Sequence, residues 1–295
     1  MKRRLNAESV MFNTINIGLL LLLSAAMLYP MLNTLALSFN SGSDAVKGGI
    51  YLWPRVFSLQ NYRVVFHMDT LSRAFFVSTL RVVVQVVTNL FFTAMLAYTI
   101  SRKEYVLAKP ITFIFVLTMY FSAGLIPNYM LIKDLQMIGT FHVYWVPNII
   151  SAFNLIVIRT QIKALPESLL ESARIDGAGD FRIFFRIVLP LCVPTLATIA
   201  LFVAVGTWNA WFDTLLYNDN EKWTVVQYEL QKLLSASTQV SGTTGAASAE
   251  AGVNTTNPTT LRAAITIATT VPILIVYPFL QRYFVTGLTI GGVKE

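Results

Sequence analysis

The chain has 295 residues, 55% hydrophobic and only 13% charged, with a mean hydropathy of +0.60 and a formal net charge of +7. Soluble globular domains carry about 25% charged residues, so this composition excludes a soluble fold and indicates a polytopic membrane protein. The positive balance does not point to nucleic acid, because no polar segment interleaves basic residues with aromatics.

Six windows lack Asp, Glu, Lys and Arg: Val10–Ser43, Val82–Ser101, Pro110–Ile132, Leu135–Ile158, Ile187–Phe212 and Ala263–Gln281. Each is near or above the roughly 20 residues that carry a helix across a hydrocarbon core. The expected fold is an all-α membrane protein with six transmembrane helices in one domain over residues 1–295. The expected spans are 12–37, 75–100, 110–132, 142–160, 190–216 and 262–281.

In chain order, Met1–Arg4 followed by Ile15–Leu28 has the outline of a secretory leader. The apolar run is too long for one, and Ser24-Ala25-Ala26 leads into more apolar sequence, so an uncleaved first span is expected. Residues 38–74 form a long loop holding Trp53-Pro54 and Asn61-Tyr62, returning along the membrane surface through Tyr62–Phe76. A basic turn at 101–109 and a short turn at 133–142 bracket the third span. After the fifth span, 217–261 divides in two: Trp223–Leu234 has helical spacing at Val226, Leu230, Leu233 and Leu234, whereas Ser235–Thr260 is a low-complexity tether. No internal repeat is found.

Six spans put both termini on one side. With that side inside, inner segments hold thirteen Lys and Arg against eight outside, Arg81 being left within a span. The positive-inside rule therefore places both termini in the cytoplasm, the loops 38–74 and 217–261 outside, and makes the net charge mostly a topology signal. The single cysteine, Cys192, excludes an intrachain disulfide and a cysteine metal cluster.

The most informative segment lies between the fourth and fifth spans, at 165–190. Pro166 and Glu167 suit the first turn of a helix, whose apolar face is Leu165, Leu169 and Ala173 with Leu170 beside them. Asp176-Gly177 breaks the pattern, since glycine takes the left-handed conformation that ends a helix. Asp180 stands where an N-cap belongs, and Phe181, Phe184, Phe185 and Val188 form the next stripe. Leu189-Pro190 and Pro194 turn the chain back into the membrane. Such a helix–turn–helix either rests on lipid or presents a surface for a partner to grip.

Glu171-Ser172-Ala173, Gly177, Ile187, Leu189 and Pro190 resemble the cytoplasmic signature of binding-protein-dependent ABC importers at the family's spacing, with Asp176 and Ala178 completing its Asp-Gly-Ala core. Ser172 departs from the usual middle alanine but is equally small. The whole chain is similar to the carbohydrate permeases of the MalG-like group, including Asn148 to Asn154, Trp208-Asn209 and the tail Gly287–Lys294. Trp208–Phe212 followed by Trp223, Gln227, Tyr228, Leu230 and Lys232 resembles the LplC-type branch, associated with oligosaccharide and polysaccharide uptake, including alginate-type importers.

This resemblance implies a permease subunit in a bacterial cytoplasmic membrane, with 165–190 as a coupling helix element seated in a cleft of an ATPase subunit. Glu171 and Asp176 are expected to make polar contacts, Ala173 close packing and Gly177 the turn. It further implies a second, non-identical permease, two ATPase subunits that bind ATP and Mg, and an extracytoplasmic solute-binding protein contacting the outer loops. This chain has no G-x-x-x-x-G-K-[ST] phosphate loop, so no cofactor and no enzymatic activity of its own are expected.

Polar side chains inside the spans are candidates for a carbohydrate path, with Asn154, Trp208, Asn209 and Trp211 foremost. The same residue types serve equally as interhelical hydrogen bonds and interfacial belts. Arg81 either neutralises an acidic sugar or snorkels to the outer surface, and Asp213 argues against an anionic substrate. An ion-coupled secondary carrier is the alternative function, but its mid-span carboxylates are missing. An intramembrane enzyme lacks an acid–base or metal constellation, with only His67, His142 and Cys192 to draw on.

Overall fold

The computed structural model describes residues 7–218, 221–240 and 257–290. Lys2, Arg3 and Arg4, residues 241–256 of the low-complexity tract and residues 291–294 of the tail lie outside them. Among the described residues the fold is all-helical, with one isolated bridge between Asn40 and Phe57 and no strand. The chain divides into two compact units, Met1–Asp69 with Lys232–Thr270 and Thr70–Gln231 with Val271–Glu295.

In the first unit, helix α1 (Ala7–Ser38) covers most of the first charge-free window. The loop after it is better ordered than its composition suggests. Ser41 N–H donates to the Val56 carbonyl (2.9 Å), Ser58 N–H to the Phe39 carbonyl (2.8 Å), and Arg55 Nε to Asp44 Oδ2 (3.0 Å). Within the expected surface return lies α2 (Gln60–His67), separated by Met68 from the helix that follows. Asn61, 1% exposed, ties this unit together. Its Nδ2 donates to the carbonyls of Ser38 (3.0 Å) and Asn40 (2.9 Å), while its Oδ1 accepts from Thr260 Oγ1 (3.0 Å). Asn61→Leu keeps the volume but leaves these buried groups unpaired. It should cost about 1–3 kcal/mol, read as a lowered thermal midpoint of the purified protein.

The second unit takes in α3 (Asp69–Ser101) from Thr70 on; the helix has 33 residues without Gly or Pro and hence no kink site. The third window holds two helices, α4 (Ala108–Tyr120) and α5 (Leu125–Asp134), parted at Gly124 with φ +86°. The fourth window becomes α-helical only at α6 (Ala152–Lys163); a short 3-10 turn at Phe141–Tyr144 and irregular backbone around Pro147 precede it. Proline pushes the residue before it out of the helical region, which accounts for the delay.

Two short helices follow, α7 (Glu167–Ile175) and α8 (Asp180–Leu191), then α9 (Val193–Asn209), bent by 77° from α8. Within α8 the stretch Phe184–Val188 widens to a π turn. Pro190 lacks the N–H that the Arg186 carbonyl would accept, and its ring crowds that carbonyl. The fifth window breaks again at Ala210-Trp211 before α10 (Phe212–Tyr217). Next comes α11 (Val226–Val240), so helix replaces the start of the expected tether. Last is α12 (Pro258–Ile290), which begins in the first unit.

Among the described residues three helices are long and apolar enough to cross a membrane: α1 from Val10, α3, and Pro258–Pro278 of α12; the α8–α9 pair passes the same test when taken together, as a bent span or a re-entrant loop. Among the described residues, two apolar clusters lie in the second unit. One gathers Ala97 and Ile100 of α3 with Ile158 of α6, Leu170 of α7 and Ile183 of α8. The other, towards the start of α3, gathers Val77 with Ile132, Val143, Tyr144 and Val225.

Candidate functional site

The bent element α7–α8 is set by a local hydrogen-bond pattern. Gly177 has φ +76°, its N–H donates to the Arg174 carbonyl (3.0 Å), and the Ala178 N–H reaches back to the Ala173 carbonyl (2.9 Å). These paired bonds satisfy the last carbonyls of α7 in the manner of a Schellman ending. The expected left-handed glycine is therefore present. Two details differ: Pro166 precedes α7 as its N-cap residue, and Gly179 takes the N-cap position of α8, placing Asp180 at the first helical position.

The signature residues divide by burial. Ala173, Ala178, Ile187 and Leu189 pack against the core, whereas Glu171, Ser172, Asp176, Gly177 and Pro190 are exposed. The buried stripe of α8 is Ile183, Phe184 and Val188; Phe181 and Phe185 point outward, as do Leu169 and Ile175 of α7. The element is thus anchored by one set of signature residues and presents the other.

What anchors it further is the turn after α3. Arg102 Nη2 reaches Asp180 Oδ1 (3.4 Å), Lys103 Nζ reaches Glu167 Oε2 (2.5 Å), and Arg174 Nη1 donates to Glu104 Oε1 (2.6 Å). Tyr98 Oη also donates to Asp180 Oδ1 (3.2 Å), and the Arg102 guanidinium lies 4.8 Å from the Tyr98 ring centroid. The hydrogen bond from Arg174, with one from its own backbone amide, holds the Glu104 carboxyl at about 2, so it stays ionised at working pH. Glu167 in turn raises the ammonium of Lys103 above its ordinary value. A hollow of about 620 Å³ opens among Lys103, Lys109, Arg159, Lys163, Glu171 and Arg174.

A second polar constellation lies on α3. Arg81, Gln85, Asn89 and Thr93 recur every four residues and so share one face. All four are at most 3% exposed. The irregular backbone before α6 explains two of them. A buried carbonyl outside a helix needs a partner. The Asn148 carbonyl accepts from Gln85 Nε2 (2.7 Å) and Asn89 Nδ2 (2.8 Å), and Asn154 Nδ2 donates to Asn89 Oδ1 (3.1 Å). These amides thus serve the interhelical role that the sequence left open, while also lining a cleft of about 370 Å³.

Arg81 neither snorkels nor stands free. Its guanidinium binds Asp213 through both terminal nitrogens, donates to the Ala210 carbonyl (3.1 Å), and sits 4.3 Å from the Tyr144 ring centroid. Tyr144 Oη in turn donates to the Trp223 carbonyl (2.6 Å). Nothing in the spacing of Arg81 and Asp213, 132 residues apart, pairs them in the sequence. The signal available was that each is a lone charge bordering a charge-free window, which calls for a partner. With Asp213 neutralised by Arg81, its expected repulsion of anionic substrates no longer holds.

Of the foremost path candidates, Asn154 lines the cleft; Trp208, Asn209 and Trp211 do not. Trp208 is 7% exposed and packs near Phe75 (ring centroids 6.4 Å). Asn209 accepts from Gln227 Nε2 (3.4 Å), and Trp211 packs edge-on against Phe212 (5.6 Å).

The chain is 36% identical over 286 residues to the polygalacturonan/rhamnogalacturonan transport system permease protein YtcP of Bacillus subtilis, covering 96% of this chain and 98% of that one. It is 37% identical to protein LplC of the same organism, covering 96% and 95%. Among solved structures, a bacterial ABC transporter involved in the import of the acidic polysaccharide alginate matches with TM-score 0.85 and 28% identity, over 95% of this chain and 98% of that one. The fold is therefore a membrane permease fold like that importer's. Residues 69–290 match the family described as binding-protein-dependent transport system inner membrane component, and the chain belongs to that family.

Proposed function

We propose that this chain is one of two permease subunits of an ATP-driven importer for an oligosaccharide handed over by an extracytoplasmic binding protein. The observation that carries the reading is the bent element. It exposes Glu171, Ser172, Asp176 and Gly177 with Ile175 and Phe181, while Ala173, Ile187 and Leu189 fasten it to the core. A motor docked on that exposed turn moves the helices fastened beneath it. Hydrolysis falls to partner ATPases, since the sequence carries no phosphate loop.

Six crossings with cytoplasmic termini suit the spacing of two polar positions, Arg81 within α3 and Arg102 just beyond its last residue. Arg81 and Arg102 are 21 residues apart, about 31 Å along a helix, close to the thickness of a hydrocarbon core of about 30 Å. Residues 102–104 meet 167–180, so both belong on one side, and Arg81 with Asp213 belongs on the other. The exposed Leu19–Leu23 of α1 offers apolar surface to lipid or to the second permease, a non-identical sibling.

The substrate is best read as an acidic or mixed oligosaccharide. The relatives are named for polygalacturonan, rhamnogalacturonan and alginate, and the amide-lined cleft with its internally neutralised Arg81–Asp213 pair repels neither charge state. The ion-coupled carrier is not favoured, because the carboxylate at the cleft is already committed to Arg81.

Affinity purification of the tagged chain from its native membrane tests this reading. ATPase subunits should co-purify, and binding protein loaded with trigalacturonate should stimulate hydrolysis more than maltotriose-loaded protein. Isolation of the chain without any ATPase would overturn it.

A further inference from the structure

We propose that Arg102, Lys103 and Glu104 form a charge clasp that locks the bent element to the end of α3, making α3 the rod that links this element to the polar cleft. The inference rests on the coupling role proposed above and assigns its transmission to named residues. Three consecutive residues take three different partners: Asp180 of α8, then Glu167 and Arg174 of α7. Arg102–Glu104 leave the helix at Ser101, and successive residues of a turn point in different directions, so one short segment can grip both helices. The signs also fix the register. Moving the grip so that Glu104 faced Glu167 or Asp180 would oppose like charges.

The clasp continues into the core rather than ending at the surface. Arg102 has 14% side-chain exposure and covers the Tyr98 ring, and Tyr98 shares the Asp180 carboxylate. Arg159 Nε closes the Ile100 carbonyl at the end of α3 (3.2 Å). Leu170, Ile183 and Phe184 pack in the same cluster as Ala97 and Tyr98. From there α3 runs without Gly or Pro to Asn89, Gln85 and Arg81 at the cleft, so displacement at one end reaches the other without a hinge.

Exposed ion pairs such as Glu104–Arg174 add little to stability. Their loss should therefore appear in coupling and not in folding. The residues are positioning residues, distinct from the exposed turn offered to the motor.

The test uses the complete reconstituted importer and four forms of this chain: wild type, E104R, R174E and E104R/R174E. In E104R, Arg174 meets a like charge; in R174E, Glu104 meets one, as does Asp180, whose Oδ1 lies 3.9 Å from Arg174 Nη2. Binding-protein-driven uptake of trigalacturonate should fall about tenfold or more, while the ATPase subunits stay bound and E104R keeps its basal hydrolysis. The double reversal should return uptake to within about threefold of wild type, the signature of a direct pairwise coupling. The pair K103E/E167K provides an independent second reversal. Single variants that transport like wild type, or reversals that fail to rescue an assembled complex, overturn the clasp. Loss of the ATPase subunits from the single variants also overturns it, since the residues would then belong to the docking surface. A wild-type complex that holds no ATPase refutes the coupling reading itself, a separate result.

Discussion

Replacing Asp213 with leucine while Arg81 stays in place is expected to destabilise the protein more than the reverse single change. Arg81 is 3% exposed, and its guanidinium is held by both Asp213 oxygens, the Ala210 carbonyl and the Tyr144 ring. Removing the carboxylate strands a buried cation that cannot shed its proton at any working pH. Breaking a buried pair in this way costs about 3–5 kcal/mol. Asp213 keeps 23% side-chain exposure, so Arg81→Met leaves a carboxylate that water can reach, and its cost should be smaller. The double variant R81M/D213L removes both charges and should recover most of the loss, because neither desolvation cost remains. Thermal unfolding of the purified chain in nanodiscs reads all three. A drop of several degrees is expected for D213L, at about 2–4 °C per kcal/mol. If D213L melts with the wild type, the pair does not hold the break at Ala210-Trp211 against α3.

Much of this architecture was legible because its causes are local or compositional. Each of the six charge-free windows overlaps helix: α9 lies wholly inside its window, most of α1 and α3 falls in theirs, and α4, α5, α6 and α12 run past the ends of theirs. The glycine turn followed from Asp176-Gly177, since only a residue free of Cβ adopts φ +76° cheaply. Helix continuity was not legible. Hydropathy reports partition into lipid and says nothing of whether the backbone stays helical, so the breaks at Gly124, Pro147 and Ala210 were hidden inside uniform apolar sequence. The face of α8 differs in part from its apolar spacing. Spacing alone put Phe181 and Phe185 in the stripe, whereas Ile183 fills the core and the widened turn at Phe184–Val188 departs from the 3.6-residue repeat. Contacts such as Arg81–Asp213, 132 residues apart, need the tertiary fold to be seen. So do the clasp residues, which read only as a basic turn.

Gly177 offers the sharper functional test, because within this chain its constraint is conformational. A Cβ built there meets no atom within 4 Å, so a side chain is refused by the backbone and not by crowding. Alanine at φ +76° should cost about 1–2 kcal/mol, asparagine less, and the β-branched valine most. As the cost rises, the bond from Ala178 N–H to the Ala173 carbonyl opens and α8 leaves its angle to α7. Transport by the reconstituted importer should therefore follow the order Gly, Asn, Ala, Val. G177V is expected to lose about tenfold or more, with the chain still in the membrane and hydrolysis no longer tied to uptake. A side chain that merely blocked docking would rank by size instead, placing asparagine below alanine. Full transport by G177V would show that the left-handed turn is dispensable and that this element does not carry the motor's stroke.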